Sequence, residues 1–271
     1  MNRVKTGIKG FDELVEGGIP EGFNVLLNGQ PGTGKTIFGL QYIYYGAKNG
    51  EKGIYVAFDS TVDLLKEQAK RFGWDLDELE KSAQIFFLRV PINKIKFDLF
   101  ESIDKVKKQM GAKRVVFDSL AMFSINVDLF TIPLGYSGNV ASSVSMNADG
   151  HDTSGGFGPS SKDSATNKIS YSGNSTKRMV YLIVDELSHL GTTNLIITSE
   201  ANLQHSGLTI DGVSEYACDG IVALYNEPIG IKRMRTMSIL KMRSTDHSQY
   251  IHNVELGKEG IVVKPAEEVY K

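Results

Sequence analysis

Eight consecutive residues carry the strongest chemical signal in this chain: Gly29, Gln30, Pro31, Gly32, Thr33, Gly34, Lys35 and Thr36. They fit the pattern G-x-x-x-x-G-K-[ST], which suits the recognition of a phosphate chain. Its glycines let the backbone curl until N–H groups converge on a β-phosphate, at the positive end of the helix that follows. Lys35 is placed to reach the β- and γ-phosphates, and Thr36 to offer its hydroxyl to Mg²⁺. The loop works only between a strand and a helix. Residues 23–28 (Phe-Asn-Val-Leu-Leu-Asn) read as a buried strand. Ile37, Leu40, Ile43, Tyr44 and Ala47 then recur at helical spacing over 36–48. The chain is expected to bind a nucleoside triphosphate.

Two carboxylates are candidates to complete that chemistry. Asp118 closes the apolar run Arg114-Val115-Val116-Phe117. An aspartate at a strand end can hold Mg²⁺ opposite Thr36, usually through water. The alternative is a strand-end acid with no such role. Asp59 follows the next strand after the loop's helix, on the carboxyl edge where open α/β sheets place their active sites. It is the candidate to orient or deprotonate a water. Its alternative role is to stabilise the first turn of a helix through the dipole.

The elements that must position these groups alternate. Strands are expected at 53–58, 84–90, 114–118 and 194–199, and helices at 61–72 with Thr61 as N-cap, 97–110 and 177–190. From Gly220 the helical pattern gives way to four strands, at 221–225, 234–241, 249–254 and 260–263. This is an α/β chain with a mostly parallel central sheet covered by helices and a C-terminal antiparallel extension.

The chain has 271 residues, which suits a single domain over 1–271. A net charge of -2 gives no bulk attraction to nucleic acid or anionic membrane. No charged-then-apolar leader and no spanning apolar run is present, so a cytoplasmic location without membrane contact is expected. Cys218 is the single cysteine, so it forms no internal disulfide, and it reads as a buried small residue. His151 and His205 lack partners at metal-ligand spacing, and Trp74 reads as a packing anchor. Residues 135–176 are dominated by Ser, Gly, Asn, Asp and Thr, without apolar periodicity. They are expected to form a flexible polar insert.

Several stretches together make a resemblance specific. Residues 6–14 (Thr-Gly-Ile-Lys-Gly-Phe-Asp-Glu-Leu), 17–22 (Gly-Gly-Ile-Pro-Glu-Gly), the phosphate loop, 71–76 (Arg-Phe-Gly-Trp-Asp-Leu) and 241–248 (Lys-Met-Arg-Ser-Thr-Asp-His-Ser) resemble the KaiC-like ATPases of the RecA superfamily. The resemblance implies a RecA-like core that binds ATP and Mg²⁺ between subunits of a ring homo-oligomer, often a hexamer. It also implies that Lys241 and Arg243 reach the γ-phosphate bound by a neighbouring subunit. An arginine finger there stabilises charge on the transferred phosphoryl group. The implied use is a nucleotide-dependent switch or scaffold for a protein partner. From the residues alone, a Lys-Met-Arg strand puts both cations on one face, where they could equally protect an exposed edge.

Two departures bear on activity. The family usually carries paired glutamates where this chain has Asp59-Ser60, so a shorter carboxylate stands alone and slow hydrolysis, or ATP binding without turnover, is expected. Glu215-Tyr216 occupy the place of the clock kinase's Ser and Thr acceptors, which argues against autophosphorylation. A recombinase-like DNA-binding ATPase is the competing reading. Its channel loops would need cations. The tract 135–176 instead sets three aspartates against two lysines, and 202–213 holds Asp211 without Lys or Arg. Lys177 and Arg178 border the first loop, and Glu200 is a candidate sensor of the γ-phosphate.

Overall fold

Apolar runs too uniform to face water on one side become the centre of the sheet. A computed structural model describes residues 1–91, 99–125, 172–199 and 208–264. The chain opens with β1 (Arg3–Val4) and β2 (Ile19–Pro20), a small antiparallel pair. The core alternates β3 (Asn24–Gly29), α1 (Lys35–Lys48), β4 (Gly53–Ala57), α2 (Val62–Lys70), α3 (Leu76–Lys81), β5 (Ile85–Arg89), α4 (Leu99–Met110) and β6 (Arg114–Asp118). After α5 (Ala121–Ile125) come α6 (Ser172–His189), β7 (Thr193–Ile197) and α7 (Ser214–Ala217). The last strands are β8 (Gly220–Ile229), β9 (Lys232–Met242), β10 (His252–Gly257) and β11 (Gly260–Lys264).

The sheet order is β11-β10-β9-β8-β3-β7-β6-β4-β5. Strands β8, β3, β7, β6, β4 and β5 run parallel, and β9, β10 and β11 continue the sheet antiparallel. The expected mostly parallel sheet with an antiparallel extension is the observed one. Every residue of β3, β4, β6 and β7 is buried, as strands covered on both faces must be. Alternation divides their side chains between two cores. Val25, Leu27 and Val116 meet α1, α2 and α3 on one face, while Leu26, Val115 and Phe117 meet α4 and α6 on the other.

Boundaries differ from expectation where signals were short. The helix expected over 61–72 stops at Lys70, and a second one, α3, starts after Asp75, whose carboxylate accepts from Glu78 N at 3.0 Å. Thr61 caps α2 as expected, accepting from Leu64 N at 3.3 Å. Helix α6 begins at Ser172, so residues 172–176 of the polar tract belong to it. Strands β8 and β9 are longer than read, and β10 starts at His252 rather than 249. Trp74 is buried and stacks on Tyr44 with centroids 5.5 Å apart, and Cys218 is buried. Positions 97–98 of the helix expected over 97–110, most of the polar tract, residues 202–207, Glu200, His151 and His205 lie outside the described residues.

One charge pins the phosphate-loop helix to the sheet. Arg114, 1% exposed, donates Nε to Glu51 Oε2 at 2.7 Å and Nη1 to Tyr42 O at 3.1 Å, and its guanidinium lies over the Tyr42 ring. Removing one partner of a buried ion pair leaves the other uncompensated and costs on the order of 3 kcal/mol. Glu51→Ala should therefore lower stability by about that much in urea unfolding. A loss within about 0.5 kcal/mol, the range of an ordinary surface substitution, would show that Tyr42 alone satisfies Arg114.

Candidate active site

The phosphate loop lies between the buried end of β3 and the start of α1, as its chemistry requires. Gly32 and Gly34 adopt φ of 80° and 105°, values that glycine reaches without strain and that turn successive N–H groups inward. Lys35 Nζ donates to Gly29 O at 2.7 Å and Gln30 O at 2.9 Å, so the ammonium lies across the loop it belongs to. Thr33 Oγ1 donates to Gln30 O at 2.8 Å and closes the turn. Beside the loop is a cavity of about 740 Å³ that Lys35, Thr36, Asp59 and Asp118 all line.

Register brings the carboxylates to that cavity. Asp118 is paired across the sheet with Ala57 and Ile197, at the C-terminal ends of β4 and β7. Its Oδ2 accepts from Thr36 Oγ1 at 3.1 Å and from the buried Tyr55 hydroxyl at 2.7 Å. Asp59 lies two residues past β4 and is tied by Ser119, whose Oγ donates to Asp59 Oδ2 at 2.9 Å. Burial pushes both carboxyl groups above the usual range, against the hydrogen bonds that hold them down.

The donor set fits the magnesium ion that the phosphate loop implies. Thr36 and Asp118 present hard oxygens side by side, and among the described residues no group of three His, Cys, Asp or Glu makes a self-sufficient metal cage. Mg²⁺ typically takes one or two protein oxygens and completes its shell with water and phosphate.

Other cavity residues were given no role from the sequence, although Arg71 and Phe72 begin one of the stretches that carry the resemblance. Arg71 and Phe72, just past α2, line the cavity together with Val254 and Leu256 of β10. Arg235 of β9 also lines the cavity and donates Nε to Gly32 O at 3.3 Å. The available signal for Arg235 was its place at i+2 from Arg233 on a strand, which puts both on one face. Tyr55 and Ser119 gave none, because their partners are 63 and 60 residues away.

Lys241 and Arg243 do not line this chain's own cavity. A bulge sets their direction. Opposite Ile221 and Val222, β9 supplies Lys241 and Ile239, which leaves Leu240 as the extra residue. Met237 and Ile239 point into the core beside α1, and strict alternation would send Lys241 after them. The bulge sends Met242 there instead and turns Lys241 to the opposite face. Lys241 Nζ donates to Cys218 O at 2.6 Å and Glu215 O at 3.3 Å, and burial with the neighbouring Arg243 charge holds it below the usual lysine range. Arg243 lies one residue beyond β9 and pairs with Asp219 at 2.8 Å. Both cations therefore hold the same turn, 215–219.

The KaiC ATPase family model matches residues 4–129 and 163–268. The chain belongs to the KaiC family of ATPases. Across nearly its whole length it is 31% identical to a UPF0273 protein of Thermotoga maritima, covering 98% of each chain. It is 28% identical to the circadian clock oscillator protein KaiC of Prochlorococcus marinus over 97% of this chain, spanning 46% of that longer protein. The crystal structure of a KaiC-like protein from Pyrococcus horikoshii superposes with a TM-score of 0.73 at 29% identity, covering 97% of this chain and 99% of that one. This KaiC-family chain is thus a nucleotide-binding ATPase domain with a RecA-type core. Among its described residues no helix is long and apolar enough to cross a membrane.

The buried carboxylate gives a signed prediction. Because its folded pKa is raised above 3.8, Asp118 binds its proton more tightly folded than unfolded, so its contribution to stability falls as pH rises from about 3.8 through the folded value. At neutral pH the ionised group is a net cost. Asp118→Asn should raise the Tm of the nucleotide-free protein at pH 7 by roughly 2–4 °C, with a smaller gain near pH 4. A Tm at pH 7 equal to or below the parent's would show that charge at this position is not the cost.

Proposed function

We propose that this chain binds Mg·ATP with the phosphate loop, hydrolyses it slowly, and works as a ring-forming, nucleotide-dependent switch or scaffold for a protein partner in the cytoplasm. One observation supports this reading above others. Lys35, Thr36, Asp59 and Asp118 converge on a single cavity, whereas Lys241 and Arg243 do not line it. In the proposal Gly29 to Thr36 wrap the phosphates, with Lys35 as the cation. Thr36 and Asp118 hold Mg²⁺, which would draw charge from the bridged phosphate oxygens. Arg71 and Phe72 flank the base, and Arg235 adds charge near the loop.

Asp59 is proposed to orient the attacking water. Ser119 occupies one of its oxygens, leaving the other for that water. Lys241 and Arg243 would complete the site of the next subunit in a homo-oligomer, proposed to be a hexamer. The lone, partly buried carboxylate also favours a second reading, an assembly protein that binds ATP without turnover. Steady-state phosphate release separates the two. DNA binding has no support in the chain's balance of charge. The family match passes over residues 130–162, which overlap the polar tract we propose to be an insertion.

Lys35→Ala should abolish ATP binding measured by calorimetry while leaving the fold intact; unchanged affinity in a folded variant would remove the site. Asp59→Asn should lose most phosphate release and keep ATP affinity, whereas Asp59→Glu should hold or raise the rate. Turnover by Asp59→Asn at the parental rate would place the base elsewhere.

The cross-subunit role is tested by mixing. A Lys35→Ala subunit still carries Arg243, and an Arg243→Ala subunit still carries the phosphate loop. Their mixture should recover phosphate release that neither shows alone. Absence of recovery under confirmed subunit exchange would make Arg243 a structural cation.

A further inference from the structure

Arg243 is held more firmly than its 54% side-chain exposure suggests. Its backbone N–H donates to Asp219 O at 3.0 Å, and its Nη1 to Asp219 Oδ1 at 2.8 Å. The other carboxylate oxygen of Asp219 accepts from Asn24 N at 3.1 Å, and Asp219 N donates to Asn24 O at 2.9 Å. Asp219 is thereby fastened to the first residue of β3, the strand that leads into the phosphate loop. From the opposite side, Thr245 Oγ1 donates to Arg243 O at 3.2 Å and accepts from Arg3 Nη1 at 2.7 Å. Arg3 is anchored in turn on Gly18 O at 3.4 Å.

We infer that Asp219 is the positioning residue for Arg243, and that Thr245, tethered by Arg3, braces the same backbone from the other side. This rests on the reading of Arg243 as a group that acts on a neighbouring subunit's nucleotide. A guanidinium presents five N–H donors in a planar fork. With Nη1 committed to Asp219, Nη2 and Nε remain for an anion, and the plane of the fork is set before the anion arrives. Such a group stabilises developing charge without reorganising at the moment of reaction. A free arginine on an exposed turn would first have to lose its rotamer freedom. Asp219 touches neither nucleotide nor water in this scheme; it acts through Arg243.

Mixed assemblies test this in a way that a merely structural role would not satisfy. Asp219→Asn leaves a single carboxamide oxygen, which cannot serve both Arg243 and Asn24. The substitution is placed either in the Lys35→Ala subunit, which donates Arg243, or in the Arg243→Ala subunit, which accepts it. Each is mixed with the complementary single variant, and Mg·ATP-dependent phosphate release is measured. On the donating side Asp219→Asn should lower the recovered rate at least about tenfold with ATP affinity unchanged, and on the accepting side it should change the rate less than about twofold.

Equal losses on both sides would show that Asp219 only maintains the fold, and no loss on the donating side would show that Arg243 needs no holder. Either result overturns the inference. Thr245→Val carries the same comparison if Asp219→Asn does not fold, with the same asymmetry expected and its absence equally decisive. If the two parent variants fail to complement under confirmed exchange, the cross-subunit reading falls and this inference falls with it. A failure confined to the Asp219 and Thr245 arms overturns this inference alone.

Discussion

Strand register is the constraint on which the rest of this structure depends. Leu27, Ile197, Asp118, Ala57 and Arg89 form one row of Cα partners across β3, β7, β6, β4 and β5. Because these strands are parallel, the row marks a common edge, and the residues just beyond it become neighbours although up to 170 positions separate them in sequence. The phosphate loop leaves from one strand of the row, Asp59 from another, and Asp118 is a member of it. A slip of one residue would exchange the two faces of a strand and bury the wrong set of side chains. The mostly apolar content of these strands and their two distinct cores make that exchange costly, so the same burial that stabilises the sheet fixes the site.

That precision places charge where water is scarce. Asp118 is 8% exposed and depends on two hydroxyl donors, Tyr55 and Thr36, to remain tolerable as an anion. Asp59 is less deeply placed and relies on Ser119. The sheet edge therefore holds one deeply buried carboxylate beside a more exposed one, an arrangement that favours a bound divalent ion and disfavours the bare protein. At this edge, stability and affinity for a charged ligand pull in opposite directions.

Much of this was legible in the sequence, for a physical reason. The loop 29–36 is a local motif, and long buried strands alternating with amphipathic helices give periodic signals, so the sheet, Asp59 and Asp118 could be placed in advance. Short elements could not. Strands β1 and β2 have two residues each and α7 has four, so long-range contacts rather than periodicity specify them. Tyr55, Ser119 and Arg235 were missed because their significance lies in partners distant along the chain. The holding of Arg243 by Asp219 and Thr245 depends on a turn whose geometry no spacing rule describes.

The bulge at Leu240 makes the length of β9 a matter of parity. Arg235 touches this chain's own phosphate loop and Lys241 faces the turn 215–219, six positions further on, only because one extra residue between them reverses the alternation. Single-residue insertions or deletions between Arg235 and Lys241 would send Lys241 into the core and Met242 out of it. Changes of two residues in the connection at Gly230 and Ile231, where Ile231 is fully exposed, would lengthen or shorten the arm and leave every face as it is. Variation in chain length along this hairpin should therefore be tolerated in even steps at its tip and resisted near its base.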